Sequence, residues 1–143
     1  MRRVFRNTKK NKYGAVEVVH DGIKFDSTIE GERYLYLRTL LLAGEIKNLE
    51  THKTFEILPK QTRIETKHLK TKDKQIERVV FQNVEFTPDF VYEKDGRLIA
   101  EDVKGSLFVV SKDFPLRRKL LYYFHNIYVN VVTFSKSKGW QVH

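Results

Sequence analysis

The chain contains no cysteine, which removes disulfide frameworks, thiolate zinc sites and cysteine nucleophiles together. Its five histidines, His20, His52, His68, His125 and His143, include no pair at the spacing that places two metal ligands on one helical face. No stretch approaches the roughly 18 consecutive apolar residues needed to span a bilayer, and the basic N-terminus lacks the apolar segment of a secretory signal. A soluble, cytoplasmic protein is the expectation. Internal repeats, low-complexity tracts and interdomain linkers are also missing. With 143 residues, a single domain over 1–143 is expected, carrying a basic arm at 1–12 and a basic hairpin extension at 60–78.

Acidic side chains are the scarcer charge. Lysine and arginine number 27 against 18 aspartates and glutamates, a formal charge of +9. Such an excess favours a polyanionic partner, nucleic acid first; a basic surface that serves solubility alone is the plain alternative. Apolar residues at 41% and aromatics at 13% are enough to bury a core.

The opening MRRVFRNTKKNK holds six basic residues and no acid, and Arg2 and Arg3 there are candidate phosphate contacts. AVEVVHDGIKFDS reads as a short hairpin turning at Asp21-Gly22. Ser27 then caps a first helix, with Glu30 completing a capping box and Gly44 as the stop. Ile29, Arg33, Tyr36, Leu37, Leu40 and Leu41 recur at helical spacing and predict its packed face. Residues 49–58 read as one strand ending at Pro59. The next segment, 60–82, has seven lysines and arginines and one histidine against three acids. It predicts a polar ribbon turning near Lys72-Asp73, with Lys67, Lys70, Lys72 and Lys74 as candidate backbone contacts. A second helix is expected from Asp113 as cap and Pro115 in the first turn. Leu116, Leu120 and Phe124 would form its apolar stripe, leaving Arg117, Arg118 and Lys119 largely off it for phosphate. IYVNVVTF reads as a buried strand. The order is that of an α/β domain with a mixed sheet covered by helices.

The most informative stretch is FTPDFVYEKDGRLIAEDVKG, residues 86–105. Asp95-Gly96 is a strong two-residue hairpin turn, because type I′ geometry needs positive φ at both positions. Lys94 then faces Arg97 and, counting outward, Asp89 faces Asp102 with Cβ atoms roughly 5 Å apart. Lys104 shares the face of Asp102, while Glu101 and Val103 point the other way. Opposed like charges destabilise a sheet, so the pair needs compensation, from a divalent cation such as Mg²⁺ or Mn²⁺ or from Lys104 alone. Two other acid-x-Lys triplets, Glu45-Ile46-Lys47 and Glu65-Thr66-Lys67, have no such upstream aspartate.

At these residues the chain resembles the PD-(D/E)XK nuclease superfamily. Pro88-Asp89 looks like the PD element and Asp102-Val103-Lys104 like the (D/E)XK element, with Asp where Glu is more usual. GIKFDSTIEGERY, PDFVY and EDVKG are similar to small phage-encoded proteins of that superfamily, over residues of about 13 to 134. The resemblance implies a restriction-endonuclease-like core and Mg²⁺-dependent phosphodiester hydrolysis, with Mn²⁺ as substitute. Asp89, Asp102, Glu30 and the Val103 carbonyl would hold one or two ions, and Lys104 would orient water or stabilise phosphate charge. Glu30 carries two readings, metal ligand and capping-box residue. By analogy with small basic members, branched DNA such as a four-way junction and a homodimer are expected. The rivals are a nicking or end-processing nuclease resembling transposon end-cleaving subunits, a non-catalytic nucleic-acid-binding accessory protein, and a protein-interaction module using the aromatic surface.

Overall fold

A computed structural model describes residues 14–108 and 110–143; the basic arm with Arg2 and Arg3 lies outside them. The first hairpin pairs β1 (Val18–His20) with β2 (Ile23–Phe25) around Asp21 and Gly22, both at positive φ as the type I′ reading requires. Tyr34 and Arg38 both bond the Asp21 carboxylate, which ties this turn to the following helix.

That helix, α1 (Thr28–Leu42), begins where Ser27 accepts the Glu30 N–H. Gly44 at φ +76° ends it, and the Glu45 N–H returns to the Leu40 carbonyl. Its buried face matches the expected one in part: Arg33 and Leu37 are buried and Ile29 and Leu40 pack against the same core, but Gly31 and Tyr34 are buried too, whereas Tyr36 and Leu41 are substantially exposed. The inserted hairpin covers the side of the helix that carries Gly31 and Tyr34.

Residues 49–58 are not one strand. A kink at His52, which adopts positive φ, separates β3 (Lys47–Thr51) from β4 (Phe55–Leu58), and the two join different sheets. The expected ribbon is a two-stranded sheet of its own, β5 (Gln61–His68) with β6 (Asp73–Phe81). Its turn closes from Leu69 to Lys72, slightly earlier than expected. β7 (Val84–Phe86) returns to pair with β4.

The main sheet has five strands in the order β11-β10-β9-β8-β3, where β8 is Phe90–Lys94, β9 Arg97–Val103, β10 Val129–Ser135 and β11 Gly139–Val142. β9 and β10 run parallel across the helix α2 (Phe114–His125), and the other neighbours are antiparallel. The sheet is therefore mixed. Alternation sends Phe90, Tyr92, Val103 and Val132 into the core under α1, and Val91, Ala100, Val129 and Val131 into the core under α2. Burial on both faces explains why Ala100 to Val103 are all buried, including Glu101 and Asp102.

On α2 the stripe is turned relative to the expected one. Phe114 and Leu121 are buried and Leu120 is half-buried, while Leu116 and Phe124 are exposed. Asp113 occupies the cap position without a side-chain cap bond; its carboxylate pairs with Arg117 instead. Among the described residues, no helix is long and apolar enough to cross a membrane.

Candidate functional site

The β8–β9 register runs as the turn dictates, from Lys94 opposite Arg97 to Phe90 opposite Glu101. There it stops, one pair short of Asp89 and Asp102. Instead of standing opposite Asp102 in a ladder, Asp89 turns its carboxylate to accept the Val103 N–H at 2.7 Å. The backbone carbonyl of Asp89 accepts the His52 N–H at 3.0 Å, which fixes the loop after β3 against the start of β8. A buried and a half-buried carboxylate cannot face each other without cost, and satisfying one with a backbone donor is the cheaper arrangement.

The repulsion is reduced but not removed. Burial pushes the Asp89 carboxyl well above the usual carboxylate range, with the charges of Asp102 and then Glu30 adding to the rise. The Val103 N–H and Lys104 oppose it. Glu30 reaches the same place from the first turn of α1, and its carboxyl is also raised, chiefly by burial. It keeps its capping relationship: Ser27 Oγ accepts the Glu30 N–H at 3.3 Å and donates to Glu30 Oε1 at 3.1 Å. Cap and site residue are the same side chain.

A third group joins them that sequence spacing does not reveal. One ligand atom each from Glu30, His52 and Asp89 lie within 4.8 Å of one another. Donors about 2.1 Å from one small cation are roughly 3 Å apart when adjacent and about 4.2 Å when opposite. The three side chains thus need only a small inward movement to share an ion, and an ion would offset the charge concentrated on Asp89. Two carboxylates and an imidazole form a donor set suited to a divalent metal. Glu32, two residues further along α1, is exposed and outside the group.

Beside this cluster, Asp102 binds Lys104, with Oδ2 2.6 Å from Nζ, and the ammonium also stands 5.5 Å from the centre of the Phe114 ring. Asp102, Lys104 and Arg117 line a groove of about 370 Å³ between the end of β7 and the start of α2. Arg117 is held there by Asp113 and by the Glu85 carbonyl. A larger hollow of about 710 Å³ lies beside α2, lined by Phe114, Pro115, Arg118, Lys119, Tyr122 and Tyr128, but no acid reaches it, so it offers no cation site.

The candidate phosphate contacts divide. Lys67 and Lys74 face each other across the ribbon, and Lys70 and Lys72 are exposed at its turn. Arg117 joins the groove. Arg118 does not point freely outward: its guanidinium stacks over Tyr128 at 4.5 Å and donates to the Tyr128 hydroxyl. Lys119 is exposed. Glu45-Ile46-Lys47 and Glu65-Thr66-Lys67 contribute nothing to the cluster.

A family profile described as protein of unknown function (DUF1064) matches residues 10–139. No curated protein and no solved structure matches the chain.

Proposed function

The chain belongs to the DUF1064 family, and we propose from the geometry of its site that it is a divalent-metal-dependent endonuclease of the PD-(D/E)XK type, and by analogy with small basic members of that superfamily that it acts on branched DNA. The observation that carries this reading is the convergence of Glu30, His52 and Asp89 from three separate elements, next to a groove lined by Asp102 and Lys104. The mixed sheet with a helix on each face supports a nuclease-like core.

Glu30, His52 and Asp89 would hold the ion, Mg²⁺ or Mn²⁺, with Asp102 and the Val103 carbonyl available beside them. When bound, such an ion polarises a phosphate and acidifies a water molecule. Lys104 and Arg117 present two cations to a phosphate entering the groove, and Lys104 is placed to steady charge on the phosphate oxygens. Asp102 holds Lys104 in that position through the 2.6 Å ion pair. Asp89 is kept in place by the Val103 N–H. Two symmetric cuts in a branched substrate need two such sites, hence a homodimer.

The test is incubation of the purified protein with labelled four-way junction, splayed, duplex and single-stranded DNA in Mg²⁺, Mn²⁺ or EDTA, beside Asp102→Asn. Metal-dependent cleavage that is lost in the variant is expected, with paired nicks on the junction. Binding without cleavage in either metal, equal in both proteins, would overturn the catalytic reading in favour of a DNA-binding protein. Cleavage confined to ends or single nicks would replace only the substrate assignment.

A further inference from the structure

The β5–β6 ribbon sorts its charges by face. From the register, Arg63 stands opposite Arg78 and Lys67 opposite Lys74, and strand alternation puts both pairs on one face with Glu65 and Ile76. The other face carries Thr62, Ile64, Thr66, His68, Asp73, Gln75, Glu77 and Val79, with no lysine or arginine. Like charges directly opposite each other destabilise a two-stranded sheet, and here this occurs twice on the same surface. The arginine pair has internal relief, since Glu65 bonds Arg63 Nε at 2.7 Å and Arg78 Nε at 3.2 Å. The lysine pair has none: both lysines are exposed, and neither has an acid within ion-pair distance among the described residues.

No packing requirement accounts for this arrangement, because the ribbon is a separate two-stranded sheet. We propose that its basic face lies along the phosphate backbone of a nucleic-acid duplex. The lysine and arginine pairs are four residues apart along each strand, about 13 Å, so the face offers two paired cationic contacts along a backbone. A duplex is favoured over a single strand because no aromatic ring stands among the paired cations from Arg63 to Lys67 and Lys74 to Arg78; the exposed Phe81 lies opposite Gln61 at the foot of this face, beyond them. The ribbon is also well placed in the chain. β6 ends at Phe81 and β7 follows it to Pro88 and Asp89, so the foot of the ribbon is joined to the strand that borders the groove, and the lysine pair stands about 23 Å further out along β6.

The inference rests on the nucleic-acid partner of the proposed function and not on its chemistry, so it is tested without metal. Binding of a random-sequence DNA duplex, and of its separated strand, is measured in EDTA over a range of salt with Asp102→Asn as the parent. Lys67→Gln with Lys74→Gln removes the unrelieved pair. A third protein adds Thr66→Lys and Gln75→Lys, which returns the same charge to the opposite face.

If each lysine holds one phosphate, the salt slope for the duplex falls by about 1.8 and affinity drops on the order of 50-fold near 0.1 M salt. The transposed charges do not restore it, and the thermal midpoint of the double variant is maintained or raised. An unchanged slope, full rescue by the transposed charges, or tighter binding of the single strand than of the duplex would each overturn the proposal. Absence of cleavage by the wild-type protein in Mg²⁺ and in Mn²⁺, with this binding intact, would count against the nuclease reading alone.

Discussion

Arg33 and Glu101 form a buried, two-pronged ion pair, Nε to Oε2 at 2.9 Å and Nη2 to Oε1 at 2.7 Å. The Tyr92 hydroxyl donates to the same carboxylate at 2.5 Å, and the guanidinium lies over the rings of Tyr36 and Trp140. Arg33 follows Glu30 by one helical turn, and Glu101 precedes Asp102. The pair therefore locks the helix that supplies one carboxylate to the strand that supplies another. Removing one partner leaves a buried charge unpaired, so Arg33→Met should cost about 3–5 kcal/mol in urea unfolding. Arg33→Met combined with Glu101→Leu should recover much of that, because no charge is left unpaired and only the Tyr92 hydroxyl loses its acceptor. Equal losses in the single and double variants would show that the pair is not the source of the stability.

Gly31 looks like a flaw in a helix, and its surroundings explain it. A Cβ there would lie 2.5 Å from Val18 Cγ2 and 2.9 Å from the His20 ring. Gly31→Ala gains up to about 1 kcal/mol in helix propensity, yet overpacking costs roughly 1–3 kcal/mol. A net loss of thermal stability is expected, with Val18→Ala in the same chain recovering only part of it, because the His20 ring still stands 2.9 Å from the new Cβ. A more stable Gly31→Ala protein would mean that the β1–β2 hairpin moves aside freely.

What could be read from the sequence was local. Ser27, Gly44, Asp21-Gly22 and Asp95-Gly96 each dictate their own backbone geometry, so helix ends, turns and the β8–β9 register were legible. Extending that register pointed to Asp89, Asp102 and Lys104, but the ladder ends at Phe90 and Glu101, so the expected Asp89–Asp102 pairing is not formed. Features decided by distant partners were not. Arg33 was legible as part of the packed face of α1, but its partner Glu101, 68 positions away, was not. The α2 stripe was misplaced because Phe114 and Leu121 answer to β4 and β7, whereas helical spacing alone fits Leu116 and Phe124 as well. His52 carries no motif; a backbone kink at positive φ and one hydrogen bond to Asp89 bring it to the carboxylates.

If His52 completes the donor set, the choice of ion should depend on it, because an imidazole nitrogen suits a first-row transition ion better than Mg²⁺. Wild-type protein should gain more thermal stability from Mn²⁺ than from Mg²⁺ at equal concentration. His52→Ala should close that gap while keeping a response to Mg²⁺. At 100 times the dissociation constant, a bound ion stabilises by about 2.7 kcal/mol, well within the range of a thermal melt. Equal Mn²⁺ and Mg²⁺ responses in both proteins would remove His52 from the coordination shell.

Asp89 makes the site's ionisation measurable without any substrate. Burial, Asp102 and Glu30 hold its carboxyl above the usual range, so the folded chain keeps this proton to higher pH than the unfolded chain does. The stability linked to that proton is complete below the unfolded value near 4 and is lost as pH rises through the folded one. Asp89→Asn keeps an oxygen for the Val103 N–H and carries no charge. In EDTA at pH 7 it should therefore melt higher than wild type, with each kcal/mol of relieved repulsion worth roughly 2–4 °C. The advantage should shrink towards pH 4, where the aspartate is itself neutral. With saturating Mn²⁺ at pH 7 the order should reverse, since only the wild type retains the carboxylate that binds the ion. An advantage that stays constant from pH 4 to 8 would place its origin in packing and not in charge.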